Sequence, residues 1–368
     1  MISPLKPANT RTQRARRRAT ILVIVVVGLA SMLAACGPVQ HAQGVSLLPN
    51  PTVKNESWRW TPTCPLGPST RGACGASGPN FGAAQLDGDL WNLGSGAGSG
   101  SVNMGVDSHG ALTVRGDLAS APPCTRSTCI ASSANTWVRG YPSVLYGINQ
   151  CSARSSPPVS PSLQLPMNVG AIPDDLIGTT SYSSQTPHVT HDVAYDMWLN
   201  SSATRTCKTD GTLEVMVWTD YNDQALLPQS VPVGTASVPF KVNDVVRPGT
   251  GAWSVFVSNV FGAGHTVPWG GTVYFILNKA DVVNMGTVSV DLSTVLSEVG
   301  TLLQNDYGWH DFAQRYWLDT VPFGIEFGPE SAAPYGAGSA YFSWQLSSYC
   351  LGVGTTLADA ACDRLASR

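Results

Sequence analysis

The sequence predicts an all-β sandwich, a single domain with one helix packed on it, and three observations carry that expectation. Charge is sparse, at 12% Asp, Glu, Lys and Arg, while Gly (37) and Pro (26) are plentiful; this is the profile of short strands joined by tight turns. Segments rich in Val, Tyr, Trp and Thr, separated by Gly, Pro, Asn and Asp, run with uniform texture from about Trp58 to Cys350. The strongest of them, 193-VAYDMWLN-200, 211-GTLEVMVWTD-220 and 320-TVPFGIEFGPE-330, alternate with period two. A chain of 368 residues has room for one large domain or two small ones, and no internal repeat divides it. The net charge of −3 gives no electrostatic reason to expect nucleic acid as a partner.

Residues 1–35 read as a lipoprotein-type signal peptide, 36–56 as a tether and 57–368 as the folded domain. Arg11, Arg14, Arg16, Arg17 and Arg18 form a basic start, followed by the apolar run 21-ILVIVVVGLASMLAA-35. That run is shorter than the roughly twenty residues a membrane-spanning helix needs and suits a secretory segment. Leu33-Ala34-Ala35-Cys36-Gly37 resembles a bacterial lipobox, which makes Cys36 the candidate lipidation site and the envelope the expected location. A plain signal cleaved near Ala35, giving a secreted protein, and an uncleaved anchor are the alternatives. Pro38, Pro49 and Pro51 fit a tether holding the domain off a membrane.

The nine cysteines agree with export, because setting Cys36 aside leaves eight that can pair fully in an oxidising compartment. Short spacings suggest Cys64–Cys74, Cys124–Cys129 and Cys350–Cys362, the last pinning the C-terminal tail. No CxxC pair occurs, which argues against a zinc ribbon. Nothing demands more than a monomer. The stretch 94-GSGAGSGSVNMG-105 lacks a GK[ST] ending and reads as a flexible loop rather than a phosphate cradle. In 291-DLSTVLSEVGTLLQN-305, Leu292, Val295, Leu296, Val299, Leu302 and Leu303 recur at helical spacing. Asp291 is placed to cap that helix.

The acids of the three alternating segments attract attention. Leu213, Val215 and Val217 point to one face, while Glu214, Met216 and Trp218 point to the other. A glutamate flanked by large apolar groups is partly desolvated. Aromatic faces that stack on sugar rings, with carboxylates acting on the bond between them, give one reason for the mixture. An edge-strand charge or a buried, hydrogen-bonded glutamate gives another. In the neighbouring segment Ala194, Asp196 and Trp198 share a face opposite Val193, Tyr195, Met197 and Leu199. A hairpin through 201–211 makes the two strands antiparallel neighbours and brings Asp196 within reach of Glu214; alternatively Asp196 satisfies a backbone or hydroxyl donor. In the third segment Glu326 has Gly324 and Gly328 on either side, read as empty space beside a carboxylate that must meet a polymer. Glu330 lies past Pro329 and reads as a solvated loop charge. His188 and His191 read as surface or hydrogen-bonding residues.

The set YPSVLYGI (141–148), AYDMWLN (194–200), LEVMVWTD (213–220), VGTASV (233–238), FGIEFG (323–328) and YFSWQL (341–346) resembles glycoside hydrolase family 12, in order and approximate spacing. The resemblance implies a β-jelly roll of two stacked antiparallel sheets with a concave substrate cleft. It further implies cleavage of internal β-1,4 bonds in glucans such as cellulose, xyloglucan or mixed-linkage glucan, with retention of configuration and with no metal or organic cofactor required. Carried over, Glu214 is the nucleophile, Glu326 the general acid/base, and Asp196 the acid that hydrogen-bonds the nucleophile. Met216, Trp218 and Trp198 line the cleft, and Trp91 in 90-LW-91 is the sugar-stacking tryptophan. Asp89 departs from the family, which commonly carries Asn there. A non-catalytic carbohydrate-binding protein of the envelope and a glycosidase for another β-linked polymer such as xylan are the competing expectations. Retention of both Glu214 and Glu326 speaks against the binder.

Overall fold

The computed structural model describes residues 84–90, 99–106, 111–121, 137–148, 163–204, 211–222, 232–258, 270–330, 338–360 and 362, with short strands at 45–46, 56–60 and 80–81. All of them belong to the unit His41–Arg368; Met1–Gln40, including Cys36, lies outside them. Trp91 and the cysteines Cys64, Cys74, Cys124, Cys129, Cys151 and Cys207 also lie outside the described residues.

In chain order the first strands are β1 (Val45–Ser46), β2 (Glu56–Trp60), β3 (Asn80–Phe81), β4 (Ala84–Asp87), β5 (Ser99–Val106), β6 (Leu112–Ala121) and β7 (Ser143–Gly147). Next come β8 (Met167–Asn168), β9 (Ile177–His188), β10 (Thr190–Asn200), β11 (Thr212–Tyr221), β12 (Gly234–Ala236), β13 (Phe240–Val242) and β14 (Val245–Arg247). Then follow β15 (Trp253–Ser258), β16 (Gly271–Leu277), β17 (Met285–Asp291), helices α1 (Leu292–Tyr307) and α2 (Phe312–Arg315), β18 (Trp317–Gly328) and β19 (Gly338–Gly352). They form two sheets. One runs β14-β13-β17-β9-β19-β6-β5-β2, with β1 on β19; the other runs β12-β15-β16-β11-β10-β18-β7-β4-β3, with β8 on β18. This is the expected jelly-roll sandwich. Among the described residues one pairing departs from the antiparallel expectation, because β11 and β16 run parallel.

The core between the sheets is built from the apolar parity of each strand. Val193, Tyr195, Met197 and Leu199 of β10, Leu213, Val215 and Val217 of β11, and Val321, Phe323, Ile325 and Phe327 of β18 are all buried there. Phe323 is its aromatic centre, with ring centroids 4.7 Å from Tyr195, 5.6 Å from Tyr182 and 6.1 Å from Trp344. Such tilted pairs add to the area buried. The expected helix is α1. Asp291 caps it by accepting the Thr294 N–H at 2.9 Å, and Leu292, Val295, Leu296, Val299 and Leu303 join the same core. Gly308 ends it in the left-handed conformation. The Cys350–Cys362 disulfide pins the tail, as its spacing suggested, and the buried Lys241 ammonium donates to the carbonyls of Ala358 and Ala360 beside it.

Two expectations are corrected. Ser99–Val106 is a strand, not loop, because Val102 and Met104 alternate into the core with Asn103 between them. And the space beside Glu326 is not empty. A Cβ on Gly324 would come 2.6 Å from the Pro142 carbonyl oxygen and from Ser143 Cβ, and one on Gly328 would lie 2.2 Å from the Trp137 carbonyl oxygen. The two glycines admit the chain 137–143, which runs beside β18 through Arg139 N–H to Phe327 O (2.8 Å) and Phe327 N–H to Gly140 O (3.3 Å). Replacing Gly324 by Ala should therefore destabilise the fold by about 1–3 kcal/mol, the range for overpacking a filled site. Urea denaturation checks this, and an unchanged midpoint would contradict the close approach.

Candidate active site

The parity that buries one face of β10, β11 and β18 sends their acids to the other. Along that face β10 carries Asp192, Ala194, Asp196 and Trp198, β11 carries Glu214, Met216 and Trp218, and β18 carries Gly324 and Glu326. β10 pairs antiparallel with β11, as the hairpin expectation required, and its other edge pairs with β18. Glu214 is thus level with Trp198, and Glu326 level with Asp192, on strands flanking β10. Asp196 and Ala194 occupy the levels between.

Glu214 is nearly buried, at 8% exposure, and accepts the Thr272 hydroxyl of β16 at 2.5 Å, its direct cross-strand neighbour. Asp196 accepts the Trp198 indole N–H at 2.9 Å and lies diagonal to Glu214 across the hairpin. Glu326 is 6% exposed, and its carboxyl is pushed well above the usual carboxylate range. Burial is the main cause, followed by Asp192 and then by the charges of Glu214 and Asp89. Asp192 is fully buried, and burial likewise raises its carboxyl well above the ordinary value.

The apolar groups expected to line a cleft sit on this face but pack tightly. Met216 and Trp218 are 1% and 0% exposed, in a second apolar cluster with Trp137, Val138, Ala194, Phe256, Tyr274 and Ile276. Trp218 meets Tyr274 edge to face at 6.1 Å. Trp198 is 3% exposed and serves as the donor to Asp196. The positive φ of Asp89 (29°) puts it in a turn whose carbonyl accepts the Tyr141 N–H.

Glu330 stands apart from the acidic face. It lies beyond the end of β18, exposed, and meets His188 Nδ1 at 3.0 Å, which lowers its carboxyl pKa. His191 is buried on the core side, 3.6 Å from Asp220 and 3.3 Å from the Thr186 hydroxyl. A bulge turns Asp220 to that side: Val193 pairs with Asp220 and Ala194 with Trp218, leaving Thr219 unopposed.

Three residues of the site escaped the sequence reading. Asp192 shares the parity of Asp196, four residues on, and that spacing alone could have found it. Tyr141 donates to the Ala194 carbonyl at 2.8 Å, and burial and the charges of Asp196, Asp192 and Glu326 keep its phenol protonated. Thr272 had no local signal, because β16 reaches β11 only through the parallel pairing. Arg139 is buried beside the site, its Nη1 donating to the Trp137 carbonyl at 3.0 Å, and burial lowers its pKa to about 10.

Comparison with known proteins gives this geometry a context. A family 12 xyloglucanase from Bacillus licheniformis, in complex with ligand, is 16% identical, with 73% of this chain and 92% of that one covered and a TM-score of 0.49. For endoglucanase 3 of Trichoderma harzianum, from family GH12, the values are 16%, 74%, 91% and 0.45. For endoglucanase cel12A of Rhodothermus marinus they are 17%, 73%, 92% and 0.44. No curated protein matches the chain in sequence. The sequence model of glycosyl hydrolase family 12 matches residues 83–349, from just before β4 into β19. On that match, which spans most of the chain, the protein belongs to glycosyl hydrolase family 12 and is a glycoside hydrolase.

Proposed function

We propose that the protein is an endo-acting, retaining β-1,4-glucanase, with Glu214 as nucleophile and Glu326 as general acid/base. The observation that carries this reading is the unequal treatment of two glutamates on one face of one sheet. Glu214 receives a hydroxyl hydrogen bond, which a carboxylate accepts and a nucleophile can use for orientation. Glu326 is held protonated by burial and neighbouring acids, the state in which it can assist departure of a glycosidic oxygen. Asp196, fixed by the Trp198 indole, orients Glu214 from the adjacent strand. Met216, Trp218 and Trp198 form the apolar floor, and Trp91 supplies the stacking surface.

In this mechanism Glu214 attacks the anomeric carbon while Glu326 gives its proton to the leaving oxygen, and Glu326 then takes a proton from the water that releases the sugar. Soluble β-glucan should lose viscosity faster than reducing ends appear, and the first-formed product should keep the β configuration by NMR. Inversion, or no hydrolysis of any β-1,4-glucan, would exclude the mechanism.

The two glutamates should separate by their dependence on the leaving group. Glu326→Gln should lower kcat on glucan by roughly 10²–10⁴-fold. On an aryl glycoside whose phenolate leaves without protonation, its first step should remain fast. Glu214→Gln should be inactive on both substrates, since no leaving group replaces a nucleophile. If Glu330→Gln matched Glu326→Gln in severity, the acid/base assignment would be wrong.

A further inference from the structure

We propose that Asp192 and Glu326 hold one proton between them, making Asp192 the positioning residue that sets when the acid/base carries its proton. The inference rests on the reading of Glu326 as acid/base. Asp192 and Glu326 are direct cross-strand partners on the acid-bearing face, with 0% and 6% exposure. Both oxygens of Asp192 and Oε2 of Glu326 are buried, and among the described residues no N–H or O–H donor reaches them. A hydrogen bond between the two facing carboxyl groups would satisfy these oxygens, and it requires a proton. Two ionised carboxylates in that position would each be desolvated and would repel.

Among the described residues, the groups that act on the pair supply no compensating positive charge; the nearby Arg139 guanidinium donates to the Trp137 and Val138 carbonyls. The groups acting on Asp192 are Asp196 on its own strand and Asp220 and Glu214 on β11. Those acting on Glu326, besides Asp192, are Glu214 and, from the turn after β4, Asp89. From the segment before β7, Tyr141 faces Asp196, Asp192 and Glu326, and Tyr274 of β16 faces Glu214 and Glu326. All are acids or phenols; none is a cation. A proton is the cheapest neutralisation, and one proton with a hydrogen bond serves both carboxyls.

The pair changes the two half-reactions in opposite directions. In the first, the shared proton passes to the departing glycosidic oxygen as the C–O bond breaks and Glu214 bonds to the anomeric carbon. Both carboxyls of the pair are then ionised. In the second, water gives a proton to the pair, its oxygen bonds to the anomeric carbon, and the bond to Glu214 breaks. Repulsion within the ionised pair makes Glu326 a stronger base for that second step and a weaker acid for the first.

Asp192→Asn keeps the shape and removes the charge, leaving every other neighbour in place. The alkaline limb of kcat/KM should move to lower pH by about one unit or more. On an activated aryl glycoside, where release of the sugar limits turnover, kcat and KM should both fall while kcat/KM at the optimum changes little. A purely structural role would alter neither the limb nor that split. An alkaline limb that stays in place or moves up overturns the proposal. Should Asp192→Asn not fold, ¹³C-carboxyl NMR of the unsubstituted protein decides: two inflections in the Glu326 signal support a shared proton, and a single one overturns it. Full activity of Glu326→Gln on glucan would instead remove the acid/base reading, leaving the NMR result to judge the pair.

Stability offers a second readout with a defined sign. Both carboxyls have folded-state pKa values raised above their unfolded values of about 4. The folded state therefore binds protons more tightly, and this contribution is full below that value and lost as pH rises through the raised range. Unfolding free energy measured in urea should fall with rising pH above about 4, and fall less steeply in Asp192→Asn. Equal slopes in the two proteins would count against the shared proton.

Discussion

The register between β10 and β18 is the constraint on which the site depends. Tyr195 sits opposite Phe323 in the core, their rings 4.7 Å apart, and the same register sets Asp192 opposite Glu326 on the far face. A slip of β10 by one residue would turn Asp192 and Asp196 into the core and Tyr195 out of it, so burial of one face specifies the chemistry of the other. Fully burying large aromatic side chains contributes about 1.5–3 kcal/mol each, and that energy is available only in the correct register. The acids contribute nothing comparable. They are carried to their positions by residues that never meet substrate.

That arrangement has a stability cost, and its distribution is informative. Glu214 and Asp196 have donors from Thr272 and Trp198, so their charges are partly compensated by neighbours on the same face. Among the described residues Asp192 has no such donor, and the charges acting on it and on Glu326 are those of other acids. A sequence selected for stability alone would place apolar residues there. Acids buried at such a position fit the pattern in which strongly shifted carboxyls mark a reactive site rather than a structural one.

Much of the fold was legible because strand parity is a local signal. The alternation of β10, β11 and β18 identified which face would be core, and the spacing of α1 with Asp291 before it identified the helix and its cap. What local signals could not supply was contact across the sequence. The parallel pairing of β11 with β16 brought Thr272 to Glu214 from 58 residues away. Gly324 and Gly328 were misread for the same reason: a missing Cβ marks that something comes close or that nothing does, and only the neighbouring chain decides which. Asp192 was legible by parity, but with Asp196 already assigned beside a tryptophan, the second acid had no pattern of its own. The strand Ser99–Val106 was hidden by its glycines, although Val102 and Met104 alternate correctly.

The corrected glycines lead back to the chemistry. Because Gly324 and Gly328 lack side chains, the chain 137–143 lies close along β18, and its start delivers Trp137 and Val138 to the cluster with Ala194, Met216 and Trp218. From the same segment Tyr141 reaches the Ala194 carbonyl, between the levels of Asp192 and Asp196. These groups exclude water from the acid-bearing face, and exclusion of water is the leading cause of the raised Glu326 and Asp192 carboxyls. On the proposed acid/base role of Glu326, the glycines beside it serve catalysis by the opposite route to open space. They let backbone and aromatic rings close in on the carboxyl, and a carboxyl enclosed in that way keeps its proton until a glycosidic oxygen is there to take it.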